Sequence, residues 1–95
     1  MSEMVVVFTN RARKRLLEIL DYLYQQNLSN DFAINYINQF EKFLSTVLIQ
    51  FPEAGTRMPQ YGKGVRRIVY QRYSFLYQVK SNRIEILTIY RENNP

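Results

Sequence analysis

At 95 residues, with 46% hydrophobic and 22% charged side chains, the chain has room for one domain with a modest core and is too apolar to be disordered. It has no cysteine and no histidine, which excludes disulfides, thiolate nucleophiles, histidine triads and the usual zinc ligands. The formal charge of +5 sits in the second half, where eight basic residues face three acids, while residues 1–50 hold five of each. An anionic partner, nucleic acid or an acidic protein segment, is therefore expected there, with ordinary solubility charge as the plainer alternative.

Met4–Phe8 (MVVVF) is β-branched and continuous, the pattern of a short strand covered on both faces. It is too short for a signal-peptide core, and no apolar stretch reaches the length of a membrane span, so a cytoplasmic protein is expected. Thr9 and Asn10 are good N-cap types for a helix over about Arg11–Gln26. Ala12, Leu16, Ile19, Leu20 and Leu23 share one face of that helix. Arg11, Lys14, Arg15 and Glu18 take the other, although Arg11 and Lys14 sit poorly with the positive end of the helix dipole.

Asn27–Asn30 is a short polar break, after which Ser29 or Asp31 caps a second helix reaching about Phe51. Ala33, Ile37, Phe40, Leu44, Val47, Leu48 and Phe51 form its stripe. Ile34, Tyr36 and Phe43 widen it, which implies contact on more than one side. Pro52 ends the helix, and residues 52–64 hold all three glycines and two of the three prolines, so this is the main loop. Its Gly62-Lys63-Gly64 lacks the spacing of a phosphate-binding loop.

Three strands follow, at about Val65–Tyr70, Tyr73–Lys80 and Arg83–Tyr90. Alternation puts Tyr73, Phe75, Tyr77 and Val79 on one face of the second. In the third, Ile84, Ile86 and Thr88 share a face, with Leu87 and Ile89 opposite. The fold class is α+β in the order β-α-α-β-β-β, a helical hairpin packed on one face of a small antiparallel sheet. The basic residues are expected on the other face or its rim.

The acids Glu53, Glu85 and Glu92 fall in three different elements, too scattered for a metal cage, and no metal or cofactor is expected. The remaining inventory is Arg, Lys and Tyr. Arginine binds phosphate bidentately, and tyrosine stacks on bases or carries a proton when cations draw its pKa down. Tyr73 and Tyr77 read as packing residues, whereas Tyr90 next to Arg91 is open to either role. Arg66 and Arg67 are adjacent on a strand, so at most one serves the open face.

The ordered set of motifs resembles the ParE branch of the ParE/RelE superfamily of type II toxin–antitoxin toxins. It comprises A-x-x-x-L-x-x-I-x-x-Y from Ala12 to Tyr22, P-x-x-G at Pro52–Gly55, G-V-R-R at Gly64–Arg67, Y-x-F-x-Y-x-V at Tyr73–Val79 and I-x-I-L-x-I-Y-R at Ile84–Arg91. The resemblance implies a small toxin of the plasmid-stabilisation kind, held by a cognate antitoxin across the hairpin and sheet edge in a hetero-oligomer. ParE-like members poison DNA gyrase; RelE-like members cleave mRNA on the ribosome. For a ribonuclease the implied catalytic residues are Arg66, Arg67, Tyr90 and Arg91. For target or nucleic-acid binding they are Arg57, Lys63, Arg66, Arg67, Arg72 and Arg91. Tyr90 stands where ParE-like members often carry histidine. The loop offers only Arg57 and Lys63 in place of the basic cluster of an active RelE, and no helix is expected after Arg91. These departures weigh toward gyrase inhibition over mRNA cleavage, with a non-toxic or decayed member as a blander third reading.

Overall fold

The computed structural model describes residues 4–92. The elements are β1 (Val5–Phe8), α1 (Asn10–Gln25), α2 (Asn30–Gln50), β2 (Thr56–Arg57), a 3-10 turn at Pro59–Tyr61, β3 (Arg66–Tyr70), β4 (Tyr73–Val79) and β5 (Arg83–Arg91). The strands form one sheet in the order β1-β5-β4-β3-β2. The helical hairpin covers one face, giving the α+β architecture expected.

The sheet is mixed where an antiparallel one was expected. β2 through β5 pair antiparallel, but β1 lies parallel to β5, from Val5 opposite Arg83 to Phe8 opposite Ile86. A chain that leaves β1 through two helices and a meander can return beside it in either sense, and local pattern carries no signal for the choice. The two-residue β2 was also not expected. It borrows backbone from the loop to pair with Arg66 and Arg67. β1 is an edge strand and not covered on both faces, since Val5 remains 52% exposed.

Thr9 sets the start of α1. Its Oγ1 accepts from the Ala12 amide at 3.2 Å and donates to the Leu87 carbonyl at 2.9 Å, while its own amide donates to the Ile86 carbonyl at 3.0 Å. One residue thus caps the helix and pins it to β5 at the point where β1 ends. Ser29 caps α2 by accepting from the Phe32 amide at 3.1 Å. Between the helices Asn27 takes φ 60°, a left-handed turn that asparagine tolerates.

β5 carries an irregularity that sequence alternation cannot show. Thr88 pairs with Leu76 and Ile86 with the next residue, Tyr77, so Leu87 is an extra, bulged residue. The bulge advances the side-chain phase by one. Ile84, Ile86 and Ile89 therefore lie together in the core, whereas alternation had grouped Thr88 with the first two and set Ile89 opposite.

Phe40 is the centre of the core. It is fully buried and meets Tyr36, Tyr73, Phe75 and Tyr70 edge-on at 5.1, 5.5, 5.2 and 6.0 Å. Such pairs add roughly 0.5–1.5 kcal/mol each beyond area burial. Tyr73, Phe75 and Tyr77 point into this layer as their alternation predicts, but Val79 is 41% exposed at the strand end. Phe51, expected on the buried stripe, is 63% exposed because α2 ends at Gln50.

Tyr77 fastens the loop that follows α2. Its hydroxyl donates to the Pro52 carbonyl and accepts from the Gly55 amide, both at 2.8 Å. Burial pushes this phenol's pKa up, so it stays protonated as the donor the Pro52 carbonyl needs. A Cβ on Gly55 would lie 2.7 Å from the Tyr77 ring and from the Arg67 carbonyl oxygen. The P-x-x-G spacing is therefore a packing requirement.

Candidate functional site

The basic residues singled out from sequence separate into three places. Arg66 and Arg67 take opposite faces of β3. Arg66 donates through Nη1 to the Gly55 carbonyl at 2.9 Å and the Glu53 carbonyl at 3.2 Å, bracing the loop after α2. Arg57, on β2, and Lys63 lie near it around a cavity of about 430 Å³ shared with Pro59 and Val65.

Arg67 points to the open face and is engaged there. Its Nε donates to Ser74 Oγ at 3.0 Å and its Nη2 to Glu92 Oε1 at 2.6 Å, and the Ser74 hydroxyl donates to the same carboxylate oxygen. Ser74 is fully buried. The serine hydrogen bond, and after it the Arg67 guanidinium, hold the Glu92 carboxyl below its ordinary pKa. This clasp was not foreseen: Glu92 read as one of three scattered acids, and nothing local to it points to an arginine two strands away. Beside it, Tyr90 pairs with Ser74 and lines a cavity of about 360 Å³ with Arg11, Arg15, Tyr61 and Thr88.

Arg91 leaves β5 on the helix side, the face opposite Tyr90. Its guanidinium lies 5.7 Å from the centroid of the Tyr22 ring, with Nη1 3.4 Å from the Tyr22 hydroxyl. Arg72 is exposed in the β3–β4 turn. The four residues implied for a ribonuclease do not converge: Arg67 and Tyr90 share the open face, while Arg66 and Arg91 lie on the helix side at opposite ends of β4, beside Tyr77 and Tyr73.

A further surface carries no charge-based signal. On the outer side of the hairpin, Phe8, Leu16, Leu17, Leu20, Ile34 and Ile37 line a groove of about 460 Å³. Arg13 and Glu41 stand on its rim. Leu17 is 63% and Ile34 48% exposed, aliphatic surface left uncovered beside the groove. The widening of the α2 stripe by Ile34 is the one sequence feature that points to it. Among the described residues no group of acids is placed to hold a metal ion, and no helix is long and apolar enough to cross a membrane.

The family model for the ParE toxin of the type II toxin–antitoxin system, parDE, matches residues 6–94. The chain belongs to the ParE toxin family. Solved structures of the same fold include the chromosomal ParDE toxin–antitoxin system from P. aeruginosa, with a TM-score of 0.76 at 24% identity over 96% of this chain and 98% of that one. The RelBE2 toxin–antitoxin complex from Mycobacterium tuberculosis follows with a TM-score of 0.61 at 17% identity, over 97% of this chain and all of that one. At these identities the structural likeness speaks to the fold alone. No curated protein matches the sequence. Family membership makes the chain a type II toxin.

Proposed function

We propose that this ParE-family chain arrests growth in the cytoplasm by binding DNA gyrase, without catalysing a reaction itself, and that a cognate antitoxin neutralises it. The observation that carries the reading is the engagement of Arg67 by Glu92 and Ser74. A phosphoryl-transfer site needs cations free to meet charge that develops in the transition state. The open-face arginine is instead neutralised, and Tyr90 and Arg91 diverge. Binding rather than cleavage is the chemistry this arrangement supports.

The antitoxin's place is the groove between α1 and α2, continued along the free edge of β1. The groove offers apolar side chains at helical spacing, the surface into which an amphipathic helix lays its apolar face. Arg13 and Glu41 on the rim supply one charge of each sign to fix the direction of the bound segment.

Supercoiling by purified gyrase is the test. Loss of supercoiling with accumulation of cleaved DNA is expected at micromolar chain, reversed by the antitoxin. Unimpaired gyrase, together with codon-phased cuts in translated mRNA that disappear in Tyr90→Phe, would replace this reading with ribosome-dependent mRNA cleavage.

A further inference from the structure

Donor-bearing side chains from five segments are placed at the end of the sheet where Tyr73 and Arg91 lie against the hairpin. Tyr22 comes from α1, Tyr36 from α2, Arg72 from the β3–β4 turn, Tyr73 from β4 and Arg91 from β5. Arg91 stands opposite Tyr73 in the β4–β5 register, and the Glu92 amide donates to the Arg72 carbonyl at 2.8 Å, so the two arginine-bearing segments are tied together. Arg91 is further restrained by its position over the Tyr22 ring. Tyr36 and Tyr73 both pack edge-on against Phe40, which fixes their rings. Tyr22, Tyr73 and Arg91 line a cavity of about 320 Å³, together with Arg15, Glu18 and Tyr90.

The cluster has too many donors for its acceptors. A guanidinium has five N–H groups and accepts nothing, and each phenol brings one further donor. Burial raises the pKa of Tyr36 and Tyr73, the former against the opposing pull of Arg72 and Arg91, so both stay protonated. Neither Arg72 nor Arg91 pairs with a carboxylate among the described residues. Glu18, the acid in that lining, is held by Arg15 at 3.0 Å. An oxyanion would complete this arrangement.

The surroundings favour one carboxylate over a chain of phosphates. Glu18 lines this cavity, and Asp21 and Asp31 directly precede Tyr22 and Phe32 in the chain, so a polyanion extending past the arginines would meet like charge. Phe32, 48% exposed and stacked on Tyr36 at 6.1 Å, adds an apolar shelf that a nearby aliphatic side chain can cover. We propose that Tyr22, Tyr36, Arg72, Tyr73 and Arg91 form a binding site for an Asp or Glu side chain of a partner protein, whose neighbouring apolar residue rests on Phe32. The site is separate from the α1–α2 groove.

The test is an NMR titration of the purified chain with a short, otherwise uncharged peptide carrying a single Glu beside a Leu, and in separate arms with inorganic phosphate and a short oligothymidylate. Saturable shifts at Tyr73, Arg91 and their neighbours are expected with the peptide. Affinity should fall about tenfold or more in the Arg72→Gln/Arg91→Gln double variant, as expected for lost charge-assisted hydrogen bonds. Arg91→Lys, which keeps the charge and loses the fork, should weaken it less, and Arg57→Gln/Lys63→Gln should leave it unchanged. Absence of saturation, equal affinity in the double variant, or tighter binding of phosphate or oligothymidylate at the same signals would each overturn the proposal.

Discussion

Arg67 and Glu92 meet across the open face of the sheet at 2.6 Å, whereas Leu17, on the outer face of the hairpin, is 63% exposed to water. The sheet face is dense in charge but largely satisfied: Arg67, Ser74 and Glu92 close on one another, and Arg83 meets Glu85 at 2.8 Å. The hairpin carries charges of both signs that nearly balance and is unsatisfied in a different sense, with Leu17 and Ile34 beside a groove that no described residue fills. Burying such an aliphatic side chain is worth roughly 1.5–3 kcal/mol, more than an exposed ion pair contributes. The face where charges close on one another is therefore not the place where the fold leaves most free energy to be gained by binding.

That contrast can be broken at its base or sharpened at either surface. The largest effect should come from Phe40→Ala, which removes the ring on which both helix and sheet aromatics converge. A loss of about 3–5 kcal/mol is expected in urea denaturation, enough to abolish gyrase inhibition and antitoxin binding together. Leu17→Asp and Ile34→Asp act on one surface alone. Both sites are exposed, so thermal stability should stay close to that of the parent, while antitoxin affinity should drop by about 2 kcal/mol or more, roughly thirtyfold, in a calorimetric titration. Unchanged affinity would move the antitoxin off this groove. Gly55→Ala should follow, at about 1–3 kcal/mol of stability, because the new Cβ must displace the Tyr77 ring or the β3 backbone. Its signature is a destabilised loop after α2 with the hairpin groove intact, read as faster amide exchange around residue 55.

The same contrast marks what the sequence makes legible. Both helices, their Ser and Thr caps, the stop at Pro52 and the inward face of Tyr73, Phe75 and Tyr77 follow from interactions within a few residues, and these are what periodicity reports. The parallel pairing of β1 with β5, the bulge at Leu87 and the reach of Glu92 to Arg67 join residues far apart in the chain. A single bulged residue reverses every later side chain on the strand, which is why Ile89 and Thr88 exchanged places. The arginines could be named from the sequence but not their partners. The alternation rule that separated Arg66 from Arg67 applied equally to Tyr90 and Arg91, which nonetheless read as a pair because they sit together at the strand end.

The smallest expected effect is the most diagnostic of the sheet face. In Glu92→Gln the side chain keeps its shape and a carbonyl acceptor for Ser74 but loses its charge. The carboxyl of Glu92 has its pKa lowered in the folded chain by the Ser74 hydrogen bond and the Arg67 cation, relative to an ordinary value of 4.5. A group depressed in this way stabilises the folded state fully above its unfolded pKa, and that contribution disappears as pH falls through the folded one. The parent should therefore be more stable than Glu92→Gln at neutral pH, and the gap should close as pH drops below 4.5, measured by denaturation at a series of pH values. A gap that persists unchanged through that range would mean that the clasp acts through shape and packing, not charge. Arg67 would then be closer to a free cation than its 2.6 Å contact implies, and the case against a catalytic open face would weaken accordingly.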